Sequence, residues 1–131
     1  MRAHLDAIRS RWPGAQPLHL WMAPTGQTGE WLAVEAPAWG DDPDPTLDEP
    51  TPTSFRVDVR VRAVGRTPDA VAAMLRIARH TLPGVLTVPG RVASLAWVRS
   101  EWIGADDTID PTTGQHPAVG VDTYQLTSQE T

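Results

Sequence analysis

The chain of 131 residues contains no cysteine and no lysine. The lack of cysteine excludes a disulfide framework, a thiolate metal site and a cysteine nucleophile, and it leaves the redox compartment open. All eleven basic side chains are therefore arginines, and the formal net charge is −5. That negative charge argues against generic nucleic-acid binding, which usually needs a basic surface.

Long apolar runs are also missing from the sequence. No stretch approaches the roughly 20 apolar residues that span a bilayer, and the N-terminus has no apolar centre typical of a signal peptide. We therefore expect a soluble protein that is made in the cytoplasm, with no membrane partner. The length fits one domain with a core of moderate size, so we predict a single domain over residues 1–131.

Signatures of catalysis and of metal binding are scarce. The four histidines, at positions 4, 19, 80 and 116, are scattered, and no pair has the i, i+4 spacing that puts two imidazoles on one helix face. The acidic groups near 41–44 and 106–110 do not follow the calcium-loop pattern. The glycines form no phosphate loop, and no serine has a nucleophile-elbow context. We predict no catalytic residue, no metal site and no cofactor, and hence no enzyme.

The clearest pattern in the chain begins with a strand at Phe55. Apolar residues alternate with charged ones, and this period of two sends the two sets to opposite faces of a sheet. The apolar row predicted to face the core is Phe55, Val57, Val59, Val61 and Ala63. The opposite row is Arg56, Asp58, Arg60 and Arg62.

A helix is predicted directly after this strand. Thr67 stands at the N-cap position and Pro68 at the first helical position, where its missing N–H costs nothing. One apolar stripe follows at helical spacing, and Pro83-Gly84 ends the helix. The stripe consists of Val71, Met74, Leu75, Ala78 and Leu82.

The remaining elements are shorter. A helix is predicted over 2–12, a hairpin from strands at 17–23 and 30–36, and further strands over 91–103 and 118–127. The last two switch parity midway, which indicates a bulge in each, or a strand covered on both faces. This order predicts an α+β domain. Its mostly antiparallel sheet has about four to five strands, with an N-terminal helix and one central helix packed on it.

Two polar segments interrupt these elements. Residues 37–54 hold five prolines and five acidic residues. Trp39 and Leu47 are the two apolar residues by which a partner could bind this segment. A segment this long and polar in a compact domain is usually functional or disordered, and we interpret it as a projecting arm. The second polar segment is the loop over 104–117.

The row of three arginines around one aspartate is the most informative candidate site. It is either a solvated outer face or a subunit interface, in which arginine forks pair with carboxylates of a neighbour. The arm and the second loop carry suitable carboxylates. The interface residues predicted on this basis are Arg56, Asp58, Arg60, Arg62, Trp39, Asp41, Asp42, Asp44, Asp106 and Asp107.

The run from Val57 to Leu82 resembles the central strand–helix unit of phage tail terminator proteins, also called tail completion proteins. The N-terminal helix, the paired strands, the arm and the final strand (AVGVDTYQLTSQ) fit the same layout, so the resemblance covers most of the chain. The family has no diagnostic motif and no catalytic residues. The arm of this chain is longer and more acidic than that layout needs; it clamps a neighbour, faces a DNA channel, or is disordered.

The resemblance implies a virion protein of the tail or neck that forms a ring, usually a hexamer, on the head-proximal end of the tail tube. Such a ring ends tube polymerisation and presents the head-joining surface. Its implied partners are its own copies, the tail tube protein and head–tail connector proteins, with DNA only passing through the lumen. The alternative in the same class is a head–tail connector (adaptor or stopper) ring. The alternative from another class is a small α+β ligand-binding domain or enzyme, which needs a pocket with convergent polar groups.

Overall fold

The computed structural model describes residues 1–21, 23, 27, 29–36, 53–105 and 117–131. Two helices and six strands form within these residues. In chain order the elements are α1 (Arg2–Arg9), β1 (Leu18–Leu20), β2 (Trp31–Glu35), β3 (Ser54–Gly65), α2 (Pro68–Thr81), β4 (Gly84–Val88), β5 (Arg91–Ala105) and β6 (Ala118–Glu130).

The strand and helix predicted between Phe55 and Leu82 are confirmed as β3 and α2. In β3 the apolar row is buried apart from the half-buried Val57, and the charged row faces away from the core. The Thr67 side chain accepts a hydrogen bond from the Ala70 backbone N–H at 3.1 Å, which caps α2. The whole predicted stripe of α2 is buried against the sheet. We call the helix-bearing face of the sheet the inner face and the opposite one the outer face.

Strand β6 lies at the centre of the sheet, between β3 and β5. It pairs with β3 without a register shift, from Ser54 opposite Gln129 to Gly65 opposite Ala118. A bulge in this strand was therefore a wrong prediction. Its parity switches because both faces are buried near Val119 and Val121. The bulge predicted in the preceding strand is confirmed, because β5 shifts register between Trp97 and Arg99 and again between Trp102 and Gly104.

The hairpin predicted from the first two strands is also wrong, because β1 and β2 run parallel. Leu32 N–H donates to the Pro17 carbonyl and Trp21 N–H donates to the Val34 carbonyl, which sets this register. Because the two strands are parallel, the ten residues between them return the chain to the starting end of the sheet. Turn residues alone do not distinguish such a return from a tight hairpin.

The strand order within the described residues is β1-β2-β3-β6-β5-β4. The predicted fold class, an α+β domain with a mostly antiparallel sheet of four to five strands and a central helix, is thus wrong. The six described strands form a mixed sheet with two helices, and sheet dominates the architecture. Strand β4, which the sequence analysis did not predict, supplies one margin. The short helix α1 contacts both margin strands, β1 and β4, because the sheet curls into a half-barrel around it.

Helix α1 is held to the sheet by buried and polar contacts. Its Leu5 and Ile8 are fully buried. Just after the helix, Arg11 donates hydrogen bonds to the carbonyls of Thr81, Pro83 and Val85, at 2.8–3.0 Å. One guanidinium therefore satisfies carbonyls at the end of α2 and at the free edge of β4.

Candidate subunit interface

The charged row of β3 lies on the outer face, where three of its four members are exposed. Arg56, Asp58 and Arg60 stand opposite Thr127, Gln125 and Thr123 of β6, respectively, none of which carries a charge. Within the described residues these three side chains form no ion pair. We call Arg56, Asp58 and Arg60 the charged strip. It has an excess of positive charge available to a partner.

The fourth member of the row differs from the strip. Arg62 Nε lies 3.4 Å from Glu35 Oε1, and both side chains are about one third exposed. Glu35 is on β2, which pairs with this end of β3. Arg62 is therefore partly neutralised within its own chain, and its charge is less available to a neighbour than that of the strip.

The predicted carboxylate partners lie outside the described residues, as does Trp39. These are Asp41, Asp42, Asp44, Asp106 and Asp107. Charge is nevertheless divided unevenly along the sequence. All eleven arginines are among the described residues, whereas eight of the sixteen acidic residues fall in 37–52 and 106–116. The described part is therefore net positive, in contrast to the whole chain.

Among the described residues, the exposed tryptophans lie on β5. Trp12, Trp21 and Trp31 are each half-buried, whereas the side chains of Trp97 and Trp102 are 43% and 56% exposed. Val98, between them, is 44% exposed. We call Trp97, Val98 and Trp102 the tryptophan surface. Tryptophan is enriched at the energetic centres of protein interfaces, where it buries a large rigid area.

The first bulge of β5 brings the two exposed indoles to one face. Trp97 pairs with Tyr124 and Trp102 with Gly120, and both partners point to the inner face. Without the extra residue Val98, an odd and an even position would lie on opposite faces. The register shift was predicted from the sequence, but its effect on the two tryptophans was not.

A buried carboxylate supports this surface from below. Asp122 is 0% exposed; its Oδ2 accepts a hydrogen bond from Arg79 Nε at 3.0 Å and its Oδ1 accepts one from Ser100 Oγ at 2.5 Å. The Arg79 guanidinium carbon in turn lies 5.3 Å from the centre of the Trp97 ring. A buried charge needs such a partner, and the cation–π contact fixes the guanidinium against the indole.

Tyr124 lies beside this network and is also fully buried. Burial raises the pKa of its hydroxyl far above the usual range, the negative charge of Asp122 raises it further, and Arg79 opposes both effects. The hydroxyl has no hydrogen-bond partner among the described residues. It therefore stays protonated, and it serves here as a large packing group.

One Ser–His contact has the form of a nucleophile and its base, but the surroundings exclude that role. His4 Nε2 lies 2.8 Å from Ser128 Oγ, and Arg91 Nε donates to the same hydroxyl at 2.6 Å. His4 and Ser128 are 2% and 0% exposed, and the His4 ring packs edge-on against Phe55. No substrate reaches that oxygen, so the contact holds α1 against the sheet.

The residues that the sequence analysis missed are Arg79, Ser100, Asp122 and the two exposed tryptophans. One signal for them was present, namely an aspartate directly after the apolar run from Ala118 to Val121. Among the described residues no three histidine or acidic side chains lie close enough to hold a metal ion. The described helices are also too short and too polar to cross a membrane.

No protein-family model matches the chain, and no curated protein sequence matches it significantly. The tryptophan surface and the charged strip are aromatic and charged surfaces of a kind suited to binding protein.

Proposed function

We propose that this chain is a structural virion protein that forms a ring on the head-proximal end of a phage tail tube. In that position it ends tube polymerisation and presents the surface to which the head joins. The proposal combines the resemblance of the strand–helix unit and the chain layout to tail terminator proteins with an interface-like surface on the folded chain.

The observation that carries the proposal is the tryptophan surface. Its two indoles are about half exposed, yet Trp97 is fixed by Arg79, which a buried carboxylate holds. A protein that acts as a monomer gains little from two large apolar rings exposed to water. Rigid, exposed aromatic groups lose little conformational entropy on binding, and this favours an assembly role.

The charged strip, on the other side of β6 from the tryptophan surface, adds specificity to assembly. Exposed ion pairs contribute only about 0–1 kcal/mol each, so the strip adds little affinity. Its alternation of arginine and aspartate instead sets which register of a neighbouring chain is accepted. A ring needs such a register, because each subunit has to meet the next with the same geometry.

Deletion of the gene in its phage tests the proposal directly. Because a terminator stops tube growth, its loss is expected to give overlong or uncontrolled tails, seen by electron microscopy of lysates. A connector ring acts after the tail is complete, so its loss leaves tails of normal length beside unattached heads. Tails of normal length in the deletion mutant therefore contradict the terminator function.

A further inference from the structure

We propose that two strand edges of the sheet, which have no partner strand among the described residues, pair with each other between copies of this chain, so that β5 of one copy extends the sheet of the next copy at β3. The inference rests on the ring proposed above and deepens it by naming the contact between subunits. Four observations carry it. Two are the strand edges that have no described partner, the third is the half-buried Val57 on one of them, and the fourth is a match of charges between the two edges.

The first edge belongs to β5. Strand β4 covers β5 only from Arg91 to Leu95, whereas β5 continues to Ala105. Beyond Leu95, no strand in the described ranges pairs with β5 on the side away from β6. The backbone N–H and C=O groups of that stretch are a template for another strand, and the tryptophan surface lies along it.

The second edge belongs to β3, on the opposite side of the sheet. Strand β2 pairs with β3 only from Arg60 to Val64, so the stretch from Ser54 to Val59 has no described strand on the side away from β6. A surface pocket of about 340 Å³ lies where β2 leaves β3, lined by Glu35, Ala36, Asp58 and Arg60. The one apolar residue of β3's inner row that is not fully buried, Val57, is on this stretch.

The charges on the two edges match. On the outer face, the β5 edge presents Arg99 and Glu101, both exposed, and the β3 edge presents the charged strip. Placing Arg99 beside Asp58 brings Glu101 beside Arg60 if the two strands are parallel, or beside Arg56 if they are antiparallel. Opposite charges directly across two strands stabilise the pairing. Glu35 of β2 already lies beside Arg60 in the same copy, so the parallel direction is blocked and the antiparallel direction, with Glu101 beside Arg56, is the one we propose.

The two edges are different surfaces at opposite margins. A contact between them is therefore head-to-tail, which is the type that closes into rings. The register shifts at Trp97/Arg99 and at Trp102/Gly104 restrict the regular part of the β5 edge to the few residues between them. We expect a short strand contact whose register is set by charge and whose affinity comes from the neighbouring indoles.

Cysteine cross-linking between copies tests this contact, because the natural chain has no thiol. Arg99→Cys and Asp58→Cys are prepared as separate variants with tags of different mass, then mixed and treated with oxidised glutathione. Paired strands hold Cα atoms about 4.5–5.5 Å apart, which suits a disulfide. Within one copy β6 separates the two positions by ~9 Å or more, so the expected product joins two copies.

The matched control is Val92→Cys mixed with Asp58→Cys. Val92 is 65% exposed and lies on the same outer face of β5, but where β4 covers the edge. We expect at least ten times more mixed disulfide from the Arg99→Cys mixture than from the control mixture or from either variant alone. Circular dichroism of each variant checks that the fold is retained.

The reaction is run in solution and on purified tail tubes, and native mass and electron microscopy are recorded on the same samples. Rings without the mixed disulfide, or with equal yield in the control, overturn the edge pairing and leave the ring function standing. The mixed disulfide without rings and without tube binding supports the edge pairing and rejects the tail-end function. If neither the mixed disulfide nor a ring forms, on tubes or in solution, both proposals are rejected.

Discussion

The buried Asp122 shows how a single charged residue shapes the surface above it. Its carboxylate is completely removed from water and holds Arg79, which lies against Trp97. Because the guanidinium still reaches solvent in part, the aspartate has the larger desolvation cost of the pair. Loss of the carboxylate therefore removes both the charge partner and the acceptor for Ser100.

Replacing Asp122 tests how much its carboxylate contributes to the stability of the fold. We expect Asp122→Ala to lower the free energy of unfolding by about 1–3 kcal/mol, measured by urea denaturation, because Arg79 and Ser100 lose their acceptor. Asp6→Ala is the control, since the Asp6 side chain is 45% exposed and its ion pairs among the described residues are with Arg2 and Arg9 of its own helix. That change is expected to cost less than about 1 kcal/mol. Equal costs for the two variants contradict the assignment.

His4 makes the stability of the fold depend on pH. Burial lowers the pKa of its imidazole from 6.5 to about 4, and the N-terminal ammonium and Arg91 add to the effect. Between these two values the folded protein binds fewer protons than the unfolded chain, so the free energy of unfolding falls as the pH drops. The loss is at most about 1.4 kcal/mol per pH unit in that window.

Urea midpoints at pH 7.0 and 4.5 measure this dependence. We expect His4→Gln, whose side chain stays neutral, to lose less stability between the two pH values than the natural chain. His80→Gln is the control, because His80 is exposed at the end of α2. A pH dependence that is the same for both variants contradicts a role for the buried imidazole.

At the scale of elements, the close packing of α2 on the sheet depends on Gly120, which has no side chain. A Cβ atom added to Gly120 would lie 2.9 Å from both Leu75 Cδ1 and Val71 Cγ1. We expect Gly120→Ala to cost about 1–3 kcal/mol in unfolding free energy, because α2 has to move. At Gly65, also under α2, the nearest atoms would be 3.3 Å away, so Gly65→Ala is expected to cost less. The reverse order contradicts this placement.

The sequence predicted the elements whose patterns are long and regular. Alternation over β3 and the apolar stripe of α2 each give several concordant positions, and both elements are confirmed. Strand β4 was missed because five residues, from Gly84 to Val88, carry too few positions to show a period. The parallel pairing of β1 with β2 was missed because turn residues report a change of direction and not the path that follows it.

The candidate site was predictable only in part, for a related reason. The exposure of the charged strip follows from the period of β3 alone. The pairing of Arg62 with Glu35 depends on the register between two strands, which periodicity does not show. The common face of Trp97 and Trp102 depends in addition on the register shift that follows Trp97.

At the scale of the whole molecule, the charged strip is expected to act only in assembly. We predict that Arg60→Glu raises the concentration for half-assembly at least about tenfold, because it turns the net positive charge of the strip negative where a neighbour's Glu101 binds. The monomer is expected to stay folded, since Arg60 is exposed. The variant Arg66→Glu makes the same change of charge at an exposed position outside the strip. Equal assembly of the Arg60 variant and the natural protein removes the strip from the interface.

The most direct measurement is native mass spectrometry over a concentration series, with electron micrographs of the same samples alone and mixed with purified, uncapped tail tubes. We predict a closed ring of defined subunit number that binds one end of the tube and prevents further addition of tube protein. A chain that stays monomeric at every concentration and leaves the tubes uncapped and growing contradicts the proposed function.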